Sequence, residues 1–213
     1  FFYPHETMGT TIMAVRYQGG VICCADSSIF NTIFKEHPQE EYTLLIELQI
    51  RSIMFINTSA FEKGAAGQSQ QTAHKVRHLI GSHSIEQGKL PHVLTAARMF
   101  QKVNYEKQLE TGYIVAGWDP YKGPQVFSAI WEAPLFKEIS QWVVQAQVSS
   151  TDIVMPLQAN MTFEEAKSFC ISAVSLAMKR DGSSGGIIRL ANITEKGIEK
   201  EYHTYESLPY KSF

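Results

Sequence analysis

The alternation of apolar and polar positions near the start of the chain predicts a β-hairpin. Two β-prone runs, 11–17 and 21–25, flank Gln18-Gly19-Gly20, and glycine suits the tight turn between two strands. Because neighbouring residues of a strand point to opposite faces, Cys23 and Cys24 should lie in different layers and should not bridge each other. Further strands are predicted at 51–56, 113–117, 125–130, 141–148, 186–193 and 198–203.

Three stretches carry the spacing of amphipathic helices. The first covers 68–83, the second has Pro91 in its first turn, and the third is opened by Thr162 with Glu165, the pattern of a capping box. The third helix should end near Gly182. The residues expected on the buried faces are Ala73, Val76 and Ile80; Leu94, Ala97, Met99 or Phe100, and Val103; and Ala166, Phe169, Cys170, Ala173, Val174 and Ala177.

The order of these elements predicts an α+β fold. Strands come first, then two helices, more strands, a helix and a last hairpin, which suggests two antiparallel sheets packed face to face with helices outside. With 213 residues, no repeat and no linker, the chain is expected to form a single domain.

Composition narrows the classes of function. The net charge is −2, and acids and bases are interspersed with no basic stripe of the kind that phosphate binding needs, so we expect no nucleic-acid partner. No apolar run approaches the roughly 20 residues that cross a bilayer, and residues 1–6 lack the basic start and apolar stretch of a secretory signal, so we do not expect them to be one. Three cysteines do not make a disulfide framework, so we expect a reducing, intracellular setting.

Several separated motifs carry a family resemblance. Residues 9–15 (GTTIMAV), 116–120 (AGWDP) and 178–186 (MKRDGSSGG) resemble segments of proteasome beta subunits in the same order. Residues 83–86 (HSIE) and 187–190 (IIRL) are most similar to the caspase-like, beta-1 type. The resemblance runs the length of the chain.

This resemblance implies an architecture and a set of partners. The fold would be an αββα sandwich of the N-terminal-nucleophile hydrolase type. The chain would join other beta subunits in a ring that stacks on its twin and on alpha rings, giving a eukaryotic hetero-oligomer of twenty-eight subunits. Polypeptides would be the substrates, no cofactor or metal would be needed, and the particle would occupy cytoplasm and nucleus. Residues 1–9 would be a retained propeptide remnant, and 10–213 the single domain.

The resemblance also implies the site. Thr10 would be the nucleophile, freed by cleavage after Gly9, and its own α-amine would act as the base. Asp26 would be the acid that follows the first hairpin, while Asp181 and Ser184 would flank the amine. The remaining positions implied are Ser149 (or Ser150), at the place of the family's glycine-rich loop, and, for substrate binding, Asn57 and Ser59.

Three departures from the family pattern affect this site. The family's lysine should lie near residue 42, but residues 40–44 read EEYTL, and seven extended residues place Lys35 about 23 Å away. Asn57 stands where the family has a basic pocket residue, and residues 146–150 (AQVSS) replace a Gly-Ser-Gly-Ser loop. We therefore expect a catalytically silent subunit, with an active caspase-like endopeptidase before autoprocessing as the alternative.

Two other interpretations deserve comparison. A free-standing N-terminal-nucleophile hydrolase outside any ring is compatible with the fold alone. The histidines at positions 74, 78 and 83 have a spacing that suggests metal binding, but no cysteine or carboxylate completes a ligand set, so a solvated helix face is expected.

Overall fold

A computed structural model describes residues 12–26, 45–48, 53–58, 65–107, 112–129, 137–138, 161–180 and 187–209. The strands in these ranges are β1 (Ile12–Tyr17), β2 (Gly20–Ala25), β3 (Leu45–Leu48), β4 (Ile53–Thr58), β5 (Gly112–Asp119), β6 (Gly123–Ala129), β7 (Lys137–Glu138), β8 (Ile188–Thr194) and β9 (Gly197–His203). The helices are α1 (Ala65–Gln87), α2 (Val93–Lys107) and α3 (Phe163–Arg180), and a short 3-10 helix covers Tyr205–Ser207.

The strands form two antiparallel sheets. The first sheet has the order β1-β2-β8-β9, and the second has the order β3-β4-β5-β6-β7. In the first sheet Ile12 lies opposite Ala25, and Ala25 in turn lies opposite Arg189 of β8. The crossover from β2 to β8 therefore joins the two ends of the chain in one sheet.

Period-two alternation distributes the strand residues between two layers. Met13, Val15 and Tyr17 of β1 pack in a cluster with α3, whereas Ile12 and Ala14 face the second sheet. On the far side of the second sheet, α1 and α2 pack over Val115 and Phe127. The order of layers is thus α3, first sheet, second sheet, and the α1–α2 pair.

Half of the buried, described residues in the layer between the sheets have small side chains. Five of its ten buried members are alanine or cysteine, and the other five are isoleucine or valine. No aromatic ring is among these ten. The small members are Ala14, Cys23, Ala25, Ala116 and Ala191.

Gly20 is required by a close approach of backbone. A Cβ atom at this position would collide with the carbonyl oxygen of Ile193 and would lie 2.7 Å from the hydroxyl of Tyr17. That hydroxyl donates a hydrogen bond to Oδ1 of Asn192, at 2.8 Å. The β1–β2 turn thus closes tightly over β8 because residue 20 has no side chain.

Most predicted elements within the described residues are confirmed. The predicted apolar faces are buried or partly buried, and of Met99 and Phe100 the phenylalanine is the fully buried one. Helix α1 is longer than predicted, α2 begins two residues after Pro91, and β3 and β7 were not predicted. The strand predicted at 141–148 lies outside the described residues.

The two adjacent cysteines separate as predicted. Cys23 lies between the sheets, whereas Cys24 lies under α3 in the same cluster as Cys170. All three thiols are free and buried. Burial raises the pKa of both Cys23 and Cys24, and the neighbouring Cys170 raises that of Cys24 further. The thiols of Cys23 and Cys24 are therefore protonated, and both side chains are inert members of the core.

Candidate functional site

Asp26 lies at the end of the β1–β2 hairpin where the chain enters β1. It follows Ala25, which pairs with Ile12, and Ile12 comes two positions after Thr10 in the sequence. Only 1% of Asp26 is exposed. A carboxyl group this deeply buried is costly unless the protein supplies a polar environment for it. The register therefore puts a buried acid at the end of the sheet nearest in sequence to Thr10.

A third strand end meets the same edge. Strand β8 begins at Ile188, and its next residue, Arg189, pairs with Ala25. The segment that contains Asp181 and Ser184 leads directly into this strand. The described ladder thus brings the start of β1, the end of β2 and the start of β8 side by side, which is what a shared site at these positions needs.

Asn57 lies in β4, opposite Tyr113 of β5. Strand β4 contacts β1 across the sandwich, so the sheet that carries Asn57 adjoins the strand that follows Thr10. The other predicted positions are outside the described residues: Gly9, Thr10, Ser59, Ser149, Asp181 and Ser184. Their roles stay predictions.

A second polar centre surrounds Asp119 and was not predicted. Asp119 is the last residue of β5 and is buried. One of its carboxylate oxygens accepts hydrogen bonds from the β5–β6 turn, and the other contacts the start of α2. Oδ1 accepts the backbone N–H groups of Tyr121 and Lys122 at 2.9 and 3.1 Å, which forms the β5–β6 turn. Oδ2 lies 2.9 Å from Nδ1 of His92 and accepts the N–H of Val93 at 3.3 Å.

Through these contacts Asp119, which is distant in sequence, caps the N-terminus of α2. The carbonyl of His92 accepts the N–H of Ala96, so His92 stands at the N-cap position, and Asp119 satisfies the N–H of the first helical residue. Burial raises the pKa of the Asp119 carboxyl, but the hydrogen bonds from Tyr121, His92 and Lys122 outweigh it and hold that pKa below its usual value. Asp119 is therefore ionised at neutral pH.

The sequence contained half of the signal for this centre. Asp119-Pro120 is typical of the start of a turn, which explains the bonds to the turn's own backbone. The partner at His92 lies 27 residues earlier and has no local pattern that would predict it. Only the packing of α2 on β5 and β6 brings the two together.

The described residues show no group of three histidine, cysteine, aspartate or glutamate side chains that could hold a metal ion. His74 and His78 are exposed on α1, as expected for a solvated helix face. None of the described helices combines the length and apolar content that a bilayer crossing requires.

Comparison with known proteins identifies the family. The family model described as "Proteasome subunit" matches residues 6–193. Proteasome subunit beta type-6 of Arabidopsis thaliana is 30% identical to this chain, over 96% of the chain and 85% of the relative. The probable proteasome subunit beta type-1 of Schizosaccharomyces pombe is 31% identical, over 94% and 86% respectively. Proteasome subunit beta type-6 of Dictyostelium discoideum is 33% identical, over 95% and 92%.

The layered arrangement of two antiparallel sheets and three described helices agrees with the sandwich that this family implies. The family model matches residues 6–193, and the beta-type relatives are 30% identical or more over most of the chain. The chain therefore belongs to the proteasome beta-subunit family.

Proposed function

We propose that the chain is a beta-type subunit of a 20S proteasome core that completes its ring and is itself catalytically silent. The family is that of threonine endopeptidases, and its members assemble with other proteasome subunits. The work of this chain would be to close the wall of the proteolytic chamber, in which neighbouring subunits cut polypeptides.

The observation that carries the proposal is the missing lysine. Between Asp26 and Arg51 the only lysine is Lys35, and the expected position near residue 42 is tyrosine in a stretch that reads EEYTL. A nearby cation favours the neutral form of an amine and the charged form of a carboxylate. Without it, the lysine contact that the resemblance implies for Asp26 is missing, and a freed Thr10 amine would be protonated more of the time and so less available to accept the hydroxyl proton.

Two further substitutions affect binding and the transition state. Asn57 has no charge with which to draw an acidic side chain into the pocket. At 146–150, the positions that match the family's Gly-Ser-Gly-Ser loop, Gln147 and Val148 stand where glycine would let backbone approach a substrate closely. Each of these losses reduces a different part of the chemistry, so a single compensating change would not restore it.

A covalent probe tests the silence directly. Particles that contain this chain are incubated with a threonine-directed electrophile, and the peptide that carries Thr10 is analysed by mass spectrometry. We expect no adduct on Thr10, while active beta subunits of the same particle are labelled and serve as the internal control. A Thr10→Ala variant identifies adducts formed elsewhere on the peptide. A labelled Thr10 in the natural chain would refute the silence and leave ring membership intact.

The alternative is an active caspase-like endopeptidase seen before autoprocessing. It is favoured by the retention of Thr10, Asp26, Asp181 and Ser184. In that case particles with the natural chain should cleave a fluorogenic peptide after an acidic residue faster than particles with Thr10→Ala. Equal rates, with the other peptidase activities unchanged, would exclude the alternative.

We also propose a beta-1-type position in the ring. The segments at 83–86 and 187–190 resemble that type, and relatives named beta type-6 and beta type-1 match most of the chain. Cross-linking of purified particles should join this chain to the two neighbours of that position. Cross-links to a different pair of neighbours would contradict this position.

We propose that the particle that contains this chain is located in the cytoplasm and the nucleus. The three buried, free cysteines are compatible with reducing compartments. Cell fractionation with antibodies against this chain should recover it in both compartments, at the sedimentation rate of a very large particle. A slowly sedimenting pool alone would instead favour the free-standing hydrolase.

A further inference from the structure

A cavity of about 300 Å³ opens between the α1–α2 connection and the β5–β6 turn. Its wall includes His83, Lys89, Leu90, His92, Thr95 and Tyr121. Asp26 does not line it, and neither does any other described residue that the family resemblance assigns to catalysis or substrate binding. We call it the turn cavity.

Local hydrogen bonds hold one wall of the turn cavity. Gly88 adopts a φ of +60° and its N–H donates to the carbonyl of Ile85 at 3.3 Å, which ends α1. The hydroxyl of Ser84 donates to the carbonyl of Lys89 at 3.0 Å. The backbone that carries Lys89 is therefore held against the end of α1.

The opposite wall is held by the Asp119 centre. A carboxylate only accepts hydrogen bonds, so Nδ1 of His92 carries the proton that Asp119 receives, and Nε2 is the remaining ring nitrogen. The ring of Tyr121 lies 5.2 Å from that of His92 between centroids. Since 49% of the His92 side chain is exposed, a ligand could reach the free face of the imidazole.

The polar groups of the turn cavity include the Lys89 ammonium, which only donates, and the Gln87 amide and the His83 and Thr95 side chains, which can donate as well as accept. Among the described residues, the Lys89 ammonium makes no ion pair and the His83 ring makes no hydrogen bond. Thr95 adds a hydroxyl group. Among the described residues no carboxylate is on the wall, and Asp119 behind it is fully buried and engaged by four contacts, so it presents no acceptor to the cavity.

The charged and titratable groups here are His83, Lys89, His92 and Tyr121 on the wall and Asp119 behind it. An ammonium group beside side chains that can donate further hydrogen bonds favours an anion, because charge-assisted hydrogen bonds are the stronger ones. Leu90, which is 46% exposed, and the Tyr121 ring add apolar surface beside them. The volume is at the lower end of the range for small-molecule pockets.

We propose that the turn cavity binds a small organic anion, with a phosphate or carboxylate head and a compact apolar body. Lys89, His83 and Thr95 contact the head, and Leu90, Tyr121 and the ring face of His92 contact the body. The proposal is independent of whether the proteolytic site is active.

Histidine ring signals of the full-length chain, recorded by NMR at pH 6, provide the test. The chain is titrated with phenyl phosphate, with benzoate and with benzyl alcohol, which share an aromatic body and differ in the head. We expect saturable shifts at His83 and His92 with the anions, and none at His74 and His78, which are exposed on α1 outside the cavity. Saturation by phenyl phosphate alone would assign the head as phosphate, and saturation by both anions would assign the shared negative charge.

Two lysine variants distinguish anion binding in the turn cavity from a non-specific attraction of anions to the positive charges of the chain. Lys89→Met should weaken phenyl phosphate about tenfold, since it removes one charge-assisted contact and leaves the Asp119 bonds in place. Lys75→Met, at an exposed position of α1 outside the cavity, is the matched control and should leave the affinity unchanged. The proposal is overturned by the absence of saturable shifts, by equal binding of benzyl alcohol, or by equal losses in the two variants.

Discussion

The N-termini of α2 and α3 are capped in two different ways. Helix α3 is capped by its own sequence: the hydroxyl of Thr162 lies 3.4 Å from the N–H of Glu165, whose carboxylate returns to the N–H of Thr162 at 2.8 Å. Helix α2 is capped by Asp119, which lies 26 residues beyond Val93 and is buried. The first cap was predicted from four residues, whereas the second exists only in the folded chain.

The comparison shows that the cap most readily predicted from sequence need not be the one that contributes most to stability. A local cap at the surface satisfies one helix end and is exposed to water, so its loss affects little else. The Asp119 cap also holds a β-turn and a wall of the turn cavity, so its loss should affect two layers at once. The following variants test that contrast.

Replacement of Asp119 by alanine should give the largest effect. It leaves the N–H groups of Val93, Tyr121 and Lys122 without their acceptor in a partly or fully buried environment. We expect a loss of about 3 kcal/mol in the free energy of unfolding, measured by urea denaturation of the full-length chain. Glu106→Ala, which removes an exposed partner of Lys102 on α2, is the control and should change it by less than about 0.5 kcal/mol. Similar losses in both variants would mean that Asp119 is not a tertiary cap.

The contribution of Asp119 should depend on pH in a defined direction. Its pKa in the folded chain lies below the ordinary 3.8, so the stabilisation is present above that value and is lost as pH falls through the lower, folded-state pKa. The stability gap between the natural chain and Asp119→Asn should therefore be constant near neutral pH and narrow below about pH 4. Urea midpoints measured across this range test it, and a gap that widens in acid would contradict the ionised carboxylate.

Thr162→Ala should have a smaller effect, confined to α3. Removal of an N-cap hydroxyl costs about 1 kcal/mol in helices of this kind. Hydrogen exchange should become faster in the first turn of α3 and stay unchanged in α2. Thr162→Ser, which keeps the hydroxyl, is the matched control and should exchange like the natural chain. Faster exchange in α2 would show that the two caps are coupled.

Glu165→Gln should have the smallest effect of the series. The N–H and hydroxyl of Thr162 hold the pKa of the Glu165 carboxyl below its usual value, but this group is fully exposed to water. Glutamine keeps an acceptor in the same place, so the thermal midpoint should fall only slightly at pH 7. That small difference should disappear as pH falls through the lowered pKa of Glu165. A drop as large as that of Thr162→Ala would mean that the carboxylate, rather than the hydroxyl, dominates this cap.

The same contrast explains how much of the fold could be predicted from sequence. Signals that repeat locally were sufficient: alternation separated Cys23 from Cys24, and helical spacing identified Ala73, Val76 and Ile80 as buried. Strand β3 was not predicted because a short run next to polar residues resembles many loops. The start of α2 was placed two residues early because Pro91 suits a first turn, while the actual start at Val93 is held by Asp119.

For the candidate site, sequence motifs identified positions, and the β-register showed which of them adjoin. The pairing of Ile12 with Ala25 and of Ala25 with Arg189 could not be obtained from the motifs, since β8 lies more than 160 positions from β2. The turn cavity was missed for a related reason. Its donors come from α1, from the connection to α2 and from β5–β6, and none of these segments carries a motif for anion binding.

The small side chains between the two sheets have a consequence for Asp26. Ala25, one of them, is buried between the sheets and directly precedes that acid. A larger residue at this position would have to separate the layers or displace the end of β2, because a close-packed core does not absorb extra volume freely. The placement of Asp26 therefore depends on the thickness of the core beneath it, so a conservative-looking change in the interior could move the site without altering any of its own residues.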